Sequence, residues 1–360
     1  MNILHIDDQL GWRGGEQQAS YLIAGLTKLG HRCVVAGRAA GAFLRSGFDG
    51  AEVIRVAIPC WGEMDPISPT LLARAVRAYD IDILHAHSSH AATYACVARK
   101  LARRGRVVVS RRVDFPPARN AFSAWKYAQP DRIVAISQCI NRVLRAYGVP
   151  ESKLRVVMSG IDPDRLNGPP IERDTLGIPG DAVLAGNVAA LVGHKDHATL
   201  VAAMPAILRE IPNFRLIVAG EGALRKPIES QIRELGVSHA VKLLGQRDDV
   251  PRLLRAMDLF ILSSSEEGLG TSVLDAMACG VPVVATDAGG ISEMVRNGET
   301  GLLAPPRDPA ALAAAVVRMV RDADLRTRVK DAAAELVRDQ FTVDRMVEGN
   351  LRVYEELLAG

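Results

Sequence analysis

The sequence predicts an α/β protein made of two Rossmann-like, doubly wound domains in tandem, and three observations carry that prediction. Short Val- and Ile-rich runs alternate with segments of helical length along the chain, the pattern of parallel sheets assembled from strand–helix–strand units. The strand runs are almost continuously apolar, as strands covered on both faces must be. The alternation is interrupted once, by the Pro- and Gly-rich stretch NGPPIERDTLGIPGD at residues 167–181, and then begins again. A length of 360 residues has room for two domains of about 100–200 residues each.

The first series opens with NILHI at residues 2–6, a helix over 16–29 and CVVAG from Cys33. It continues with VIRVAI from Val53, a helix over 70–79, ILHAH from Ile83, a helix over 91–102, VVVS from Val107 and IVAIS from Ile133. The second series runs VLAGNVAA, a helix over 198–210, RLIVAG, a helix over 224–235, VKLLG, a helix over 250–256 and LFILSSS. A helix over 271–279, PVVAT, a short helix over 291–297 and GLL complete it. A helical tail from Pro309 is expected to break at residues 339–342, with Thr342 as the cap of a fresh helix. The expected domains are therefore 1–168 and 169–341. Ligands of doubly wound sheets bind at the carboxyl ends of the strands, so the active site is expected in a cleft across which the two sheets face each other.

Composition excludes several classes. With 48% hydrophobic and 24% charged residues the chain is neither disordered nor collagen-like. No apolar run approaches the ~20 residues of a membrane-spanning helix. The opening MNILHIDD has no basic, cleavable leader, which predicts a cytoplasmic protein. The five cysteines are odd in number, scattered and without a C-x-x-C pair, so they read as reduced, mostly buried small hydrophobes. Residues 1–168 carry 23 Lys and Arg against 14 Asp and Glu, whereas residues 169–360 carry 21 against 27. A basic first half suits an anionic acceptor or the negative inner face of a membrane. Only 4% of residues are aromatic and no nucleic-acid-binding module is present, so nucleic acid is not expected as a partner.

The densest chemistry lies in residues 263–303, SSSEEGLGTSVLDAMACGVPVVATDAGGISEMVRNGETGLL. A strand ends there in a loop of carboxylates and glycines, and a helix opens at Thr271 or Ser272. The unpaired N–H groups of a helix start attract anions, and glycines let a phosphate approach the backbone. Glu267 and Asp275 flank that position, where carboxylates accept hydrogen bonds from sugar hydroxyls.

This segment resembles the signature of the retaining glycosyltransferases of family 4, which have the two-domain GT-B fold. The match runs Glu267, Gly268, Leu269, Gly270, then Asp275 and AMACGVPVVA, and the resemblance extends over most of the chain. It implies that Glu267 binds the donor sugar, that the backbone of Leu269, Gly270, Thr271 and Ser272 holds the sugar and distal phosphate, and that Asp275 holds the ribose. Aspartate departs there from the usual glutamate by one methylene. Lys195, in VAALVGHKDHATL, stands where the family neutralises the leaving diphosphate, while the accompanying arginine is replaced by Ala190. Arg13, Arg111, Arg112 or Arg225 could supply the missing charge. In GWRGGEQQ, Gly14 and Gly15 match the glycine pair that lies against donor phosphates and acceptor. The terminal helix, 342–360, is implied to pack back on the first domain.

Arg13, His87 and Arg112 are further candidates for contact with acceptor or phosphate. His85 and His87 end a predicted strand and are expected at the cleft rim. The histidine that many relatives carry after the next strand is absent, Ser110, Arg111 and Arg112 standing there instead. His194 and His197 flank Lys195, as phosphate contacts or as exposed loop residues. The Asp80–Asp82 and Asp162–Asp164 triplets do not sit where a metal-bound sugar diphosphate needs them, and no His/Cys grouping suggests zinc, so neither a metal nor another cofactor is expected.

The resemblance thus implies transfer of a sugar from a nucleotide sugar to an acceptor hydroxyl, and the basic first half suggests a glycan or lipid-linked acceptor at the inner membrane face, in envelope polysaccharide or lipopolysaccharide synthesis. The alternatives are a catalytically silent nucleotide-sugar-binding module and a nucleotide-sugar epimerase of the same fold. A nicotinamide dehydrogenase would need a G-x-G-x-x-G turn, of which VAGEGALR supplies only Gly220 and Gly222.

Overall fold

The computed structural model describes residues 1–359. They form two compact units, one of residues 1–160 together with the terminal helix from Val343, the other of residues 161–342.

The first unit runs β1 (Asn2–Ile6), α1 (Gly14–Lys28), β2 (Arg32–Gly37), a single turn α2 (Ala42–Arg45), β3 (Ile54–Ala57), α3 (Ile67–Ala78) and β4 (Ile83–Ala86). It continues with α4 (Ser89–Ala102), β5 (Arg106–Arg111), α5 (Ala121–Ala128), β6 (Arg132–Ala135), α6 (Gln138–Tyr147) and β7 (Leu154–Val156). All pairs are parallel, in the order β3-β2-β1-β4-β5-β6-β7. Strand side chains alternate between faces. Leu4 and Ile6 accordingly join a core with Leu72 and Val76 of α3 and Tyr94 of α4, while Ile3 joins a second core with Leu22 of α1.

The second unit runs β8 (Val183–Val188), α7 (His197–Glu210), β9 (Phe214–Ala219), α8 (Arg225–Glu234), β10 (Val241–Gly245), α9 (Val250–Ala256) and β11 (Leu259–Leu262). Then come α10 (Thr271–Ala278), β12 (Val283–Thr286), β13 (Leu302–Ala304), α11 (Pro309–Arg321) and α12 (Ala323–Gln340). Its parallel order is β10-β9-β8-β11-β12-β13. In each sheet the strand order reverses beside the first strand, at β1/β4 and at β8/β11, which makes the carboxyl ends of those strands the binding crevice.

The last helix, α13 (Val343–Ala359), packs on α1 in the first unit. Gly25 makes this approach possible, since a Cβ there would stand 2.5 Å from Val347 Cγ2. Val347, Val353 and Tyr354 of α13 are buried in the core shared with Leu22 and Val35.

Several boundaries differ from expectation. The first unit closes at Gly160 rather than residue 168, because the next turn is held by the second unit. Ile161 donates its N–H to the Phe341 carbonyl at 2.8 Å, and the carbonyl of buried Leu166 accepts from Arg255 Nε at 2.6 Å. The stretch 167–181 is no free linker, since Leu176 and Ile178 are buried and Arg173 reaches the Ala256 carbonyl at 2.6 Å and Asp258 at 2.8 Å. Helix α3 starts at Ile67, earlier than residue 70, because the Asp65 carboxylate accepts from the N–H groups of Ile67 and Ser68. The helix expected over 291–297 is only a 3-10 turn, Ile291–Glu293. Asp322, capping the Leu325 N–H, adds a break in the helical tail. Among the described residues no helix is long and apolar enough to cross a membrane. All five cysteines are free, with Cys33, Cys60 and Cys96 buried and Cys139 and Cys279 half-buried.

Candidate functional site

In the second unit, three loops at the carboxyl edge of the sheet are tied together. The loop after β11 is stitched to the loop after β8, as Ser263 Oγ donates to the Lys195 carbonyl at 3.1 Å and the Ser265 N–H to the His194 carbonyl at 2.8 Å. Lys195 Nζ forms an ion pair with Glu267 Oε2, and Ser264 Oγ donates to the same oxygen at 3.2 Å. With side chains only 18% and 12% exposed, this pair is screened less than a surface salt bridge. The Glu267 carbonyl accepts from the Gly290 N–H at 2.9 Å, which brings in the loop after β12.

The helix start follows directly. Gly268, Leu269 and Gly270 are buried, and Gly270 takes the left-handed conformation, with φ 86°, as the N-cap of α10. A glycine cap has no side chain to satisfy the first-turn donors, so the N–H groups of Thr271 and Ser272 have no intrahelical acceptor and favour an anion. Asp275 lies one turn further along, half-buried; burial pushes its carboxyl up to about 7, and Arg165 pulls it partly back.

The residues around Ala190 are fixed by backbone contacts. The Leu191 N–H donates to the Glu221 carbonyl and the Leu224 N–H to the Leu191 carbonyl, both at 3.0 Å. Arg225 does not replace the missing arginine, because it is committed to Glu221 at 2.5 Å and Glu229 at 2.9 Å. Of the two histidines beside Lys195, His194 is exposed and His197 is not. His197 Nε2 meets Asn187 Oδ1 at 3.1 Å, Asn187 Nδ2 donates to the Ile261 carbonyl at 2.8 Å, and burial lowers the imidazole to about 4. It is a neutral tie between α7 and the sheet.

In the first unit, Gly14 and Gly15 open α1 just after exposed Arg13, whose backbone N–H donates to the Glu16 carboxylate at 2.7 Å. The Cβ direction of Gly15 faces Arg112 Cδ at 3.4 Å, so the absence of a side chain makes room for that arginine. Arg112 is not a surface residue of an arginine pair. Burial lowers its guanidinium to about 10, with Asp7 and Glu16 working in the opposite sense, and its Nε has no partner. Buried Asp7 is itself pushed up to about 7, chiefly by desolvation. Arg111 is spent on its own loop, donating to Tyr127 Oη at 2.7 Å and to the Val113 and Phe115 carbonyls.

His85 and His87 point inward rather than to a rim. His87 Nε2 lies 3.0 Å from Nδ1 of His5, while His85 meets Tyr354 Oη at 2.5 Å and Ser110 Oγ at 2.8 Å. All three imidazoles are buried and held neutral by desolvation, His5 at about 3. Contrary to expectation, the fold does assemble a histidine cluster, the sole group of potential metal-ligating side chains of this kind among the described residues. Both ring nitrogens of His85 are bonded, whereas His5 Nε2 and His87 Nδ1 are buried without a partner; through Tyr354 the cluster ties α13 to the sheet.

One grouping escaped the sequence reading. Asp8, buried after β1, accepts from Ser88 Oγ and from His90 Nδ1 at 2.8 Å; His90 Nε2 faces Glu63 at 3.3 Å, and Lys126 closes the chain on Glu63 at 2.7 Å. The signal was the acidic pair Asp7-Asp8 directly after the first strand, at the switch point.

Two family models match the chain, Glycosyltransferase Family 4 over residues 12–165 and Glycosyl transferases group 1 over residues 170–336. An uncharacterized glycosyltransferase of Methanocaldococcus jannaschii is 28% identical over 62% of this chain and 60% of its own length. The lipopolysaccharide core biosynthesis glycosyltransferase LpsE of Rhizobium meliloti is 32% identical over 51% of this chain and 53% of its own. The chain therefore spans little more than half the length of these relatives. The crystal structure of Anabaena HepE in complex with UDP and glucose superposes with a TM-score of 0.85 over 100% of both chains at 23% identity, which shows a shared GT-B fold.

Proposed function

The chain belongs to the family 4 glycosyltransferases, and we propose that it is an enzyme that moves a sugar from a nucleotide sugar to an acceptor hydroxyl with retention of anomeric configuration. The observation that carries this reading is the Lys195–Glu267 pair at the start of α10, with Asp275 one turn beyond. A diphosphate seated on the amides of Thr271 and Ser272 would share the charge of Lys195 with Glu267, and Glu267 would accept hydrogen bonds from the donor sugar. As the bond from the anomeric carbon to phosphate oxygen breaks, Lys195 and the helix-start amides stabilise the developing charge. The acceptor oxygen bonds to the same face of that carbon, and its proton passes to the departing phosphate oxygen. No separate general base is required, which suits a site without the family's histidine. We assign leaving-group stabilisation to these protein groups rather than to a metal or other cofactor.

UDP in HepE and the named role of LpsE support a UDP-sugar donor and an envelope glycan or lipid-linked acceptor. Arg13, Gly14, Gly15 and Arg112 in the basic first unit would receive a phosphorylated or lipid-linked acceptor, in the cytoplasm at the inner face of the membrane. His87, being buried, would act only by supporting the packing of the first unit. Calorimetric titration with UDP, GDP and ADP tests the donor assignment. Saturable binding of one nucleotide, weakened in Lys195→Ala, supports it; no binding, or binding indifferent to Lys195, would refute it.

A further inference from the structure

The strands of the first sheet are parallel, so the starts of β4 and β5 lie at the edge opposite Asp7 and Arg112. At that edge the segment RKLARRGR, residues 99–106, closes α4 and opens β5. A cavity of about 510 Å³ is lined there by Arg99, Lys100, Arg103, Arg104 and Arg106, with Leu358 of α13 on one side. An adjoining cavity of about 530 Å³ shares Arg99 and Arg106 and adds Arg132 and Lys153. The carboxylates nearby are already engaged. Asp82 accepts from the Asn2 N–H at 2.9 Å, Asp131 accepts from the Val107 N–H at 2.7 Å and pairs with Arg99 at 3.4 Å, and Glu356 pairs with Arg155 at 2.7 Å. Arg104 donates to the Ile81 and Asp80 carbonyls and pairs with the Asp80 and Asp82 carboxylates at 3.3 and 3.5 Å.

Arg103 and Arg106 are left exposed, the latter no nearer to a carboxylate than 3.8 Å. Arg103 also holds the left-handed C-cap of α4, with φ 55°, a place where glycine is the usual residue. The Nε of Arg132 is buried without a partner. The negative end of α4 favours a cation or two in its last turn, and with Arg99, Arg104 and Arg106 partly balanced by Asp80, Asp82 and Asp131 the excess charge of this cavity rests on Lys100 and Arg103.

The geometry points to a phosphate-binding site at this edge, for a compact anion of diphosphate size on either a soluble metabolite or a lipid headgroup. Guanidinium forks suit phosphate because two parallel N–H donors meet two of its oxygens. The site shares no residue with the Lys195–Glu267 loop and stands whether or not that loop binds a donor.

The test uses the full chain as wild type, as Arg103→Ser/Arg106→Ser, as Lys195→Ala and with all three substitutions. Both arginines are exposed, so the double variant should fold, which circular dichroism checks. Inorganic pyrophosphate is titrated calorimetrically, and flotation with phosphatidylglycerol vesicles is compared with phosphatidylcholine at low and moderate salt. Because the Lys195–Glu267 loop would itself take pyrophosphate, affinity is read in the Lys195→Ala background, where adding Arg103→Ser/Arg106→Ser should cost at least tenfold, while the double variant alone keeps its nucleotide binding. Loss confined to the pyrophosphate arm identifies a soluble ligand, and loss of flotation as well identifies a lipid headgroup. In the Lys195→Ala background, arginine substitutions without effect in either arm, or a Lys195→Ala protein that binds neither probe, would overturn the assignment.

Discussion

Replacing Gly270 by alanine probes the turn that opens α10 and carries Glu267. Its φ of 86° costs an L residue about 1–2 kcal/mol. The added Cβ would stand 2.7 Å from Ile291 Cδ1 and 3.3 Å from Glu267 Cγ, against the roughly 3.5–4.0 Å of comfortable carbon contact. Ile291 is fully buried, so moving its Cδ1 aside disturbs a packed core and an overpacking cost of about 1–3 kcal/mol adds to the strain. The sum, about 2–5 kcal/mol, falls on the second unit. At roughly 2–4 °C per kcal/mol for a unit of this size, its melting transition should drop by about 4–20 °C in scanning calorimetry. The contact with Cγ also pushes Glu267 away from Lys195, so nucleotide affinity should fall even well below the new transition. A variant that melts within a degree of wild type and binds nucleotide equally would show that neither the strain nor the clash exists.

Other perturbations follow from the same geometry. Asp275 is raised from an ordinary 3.8 to about 7, so the folded state holds its proton longer than the unfolded chain, and the group lowers stability progressively from about pH 4 to 7 and by a constant amount above. Asp275→Asn should therefore stabilise the second unit at pH 8 and hardly at all at pH 4, and should flatten any change in nucleotide affinity near pH 7; equal effects at both pH values would contradict the burial argument. Tyr354→Phe removes a partner of buried His85 and should cost the first unit about 1–3 kcal/mol, read as faster amide exchange in α13; unchanged exchange would count against the network. Lys195→Ala should weaken nucleoside diphosphate binding by roughly 10- to 100-fold, the worth of a charge-assisted hydrogen bond. Glu267→Gln should keep or tighten it, because the competing carboxylate is gone; parallel losses in both variants would argue against charge sharing.

Much of the fold was legible because parallel strands covered on both faces leave unbroken apolar runs such as ILHAH and LFILSSS. The runs that carry less of that signal were missed: α5 has no buried residue, α6 buries only Ile140 and Leu144, and β7 is three residues long. The loop after β11 and Lys195, which pairs with it, drew attention in the sequence because the glycines, Glu267 and Lys195 lie in short ordered segments at the switch point. The histidines were misplaced because a polar residue at a strand end looks solvent-facing until the covering helix is known. Here α13, from the far end of the chain, closes over His85. The Asp8–His90–Glu63–Lys126 chain was invisible for a similar reason, since its members come from four separate segments that only the tertiary fold brings together.

The most direct test of the transferase assignment is mass-spectrometric detection of donor turnover across UDP-, GDP- and ADP-sugars, with and without envelope-glycan acceptors, for wild type beside Glu267→Gln. Acceptor-dependent transfer from one donor, lost in Glu267→Gln although nucleotide still binds, is the expected result. Saturable nucleotide binding with no transfer under any condition, or transfer undiminished by Glu267→Gln, would contradict it.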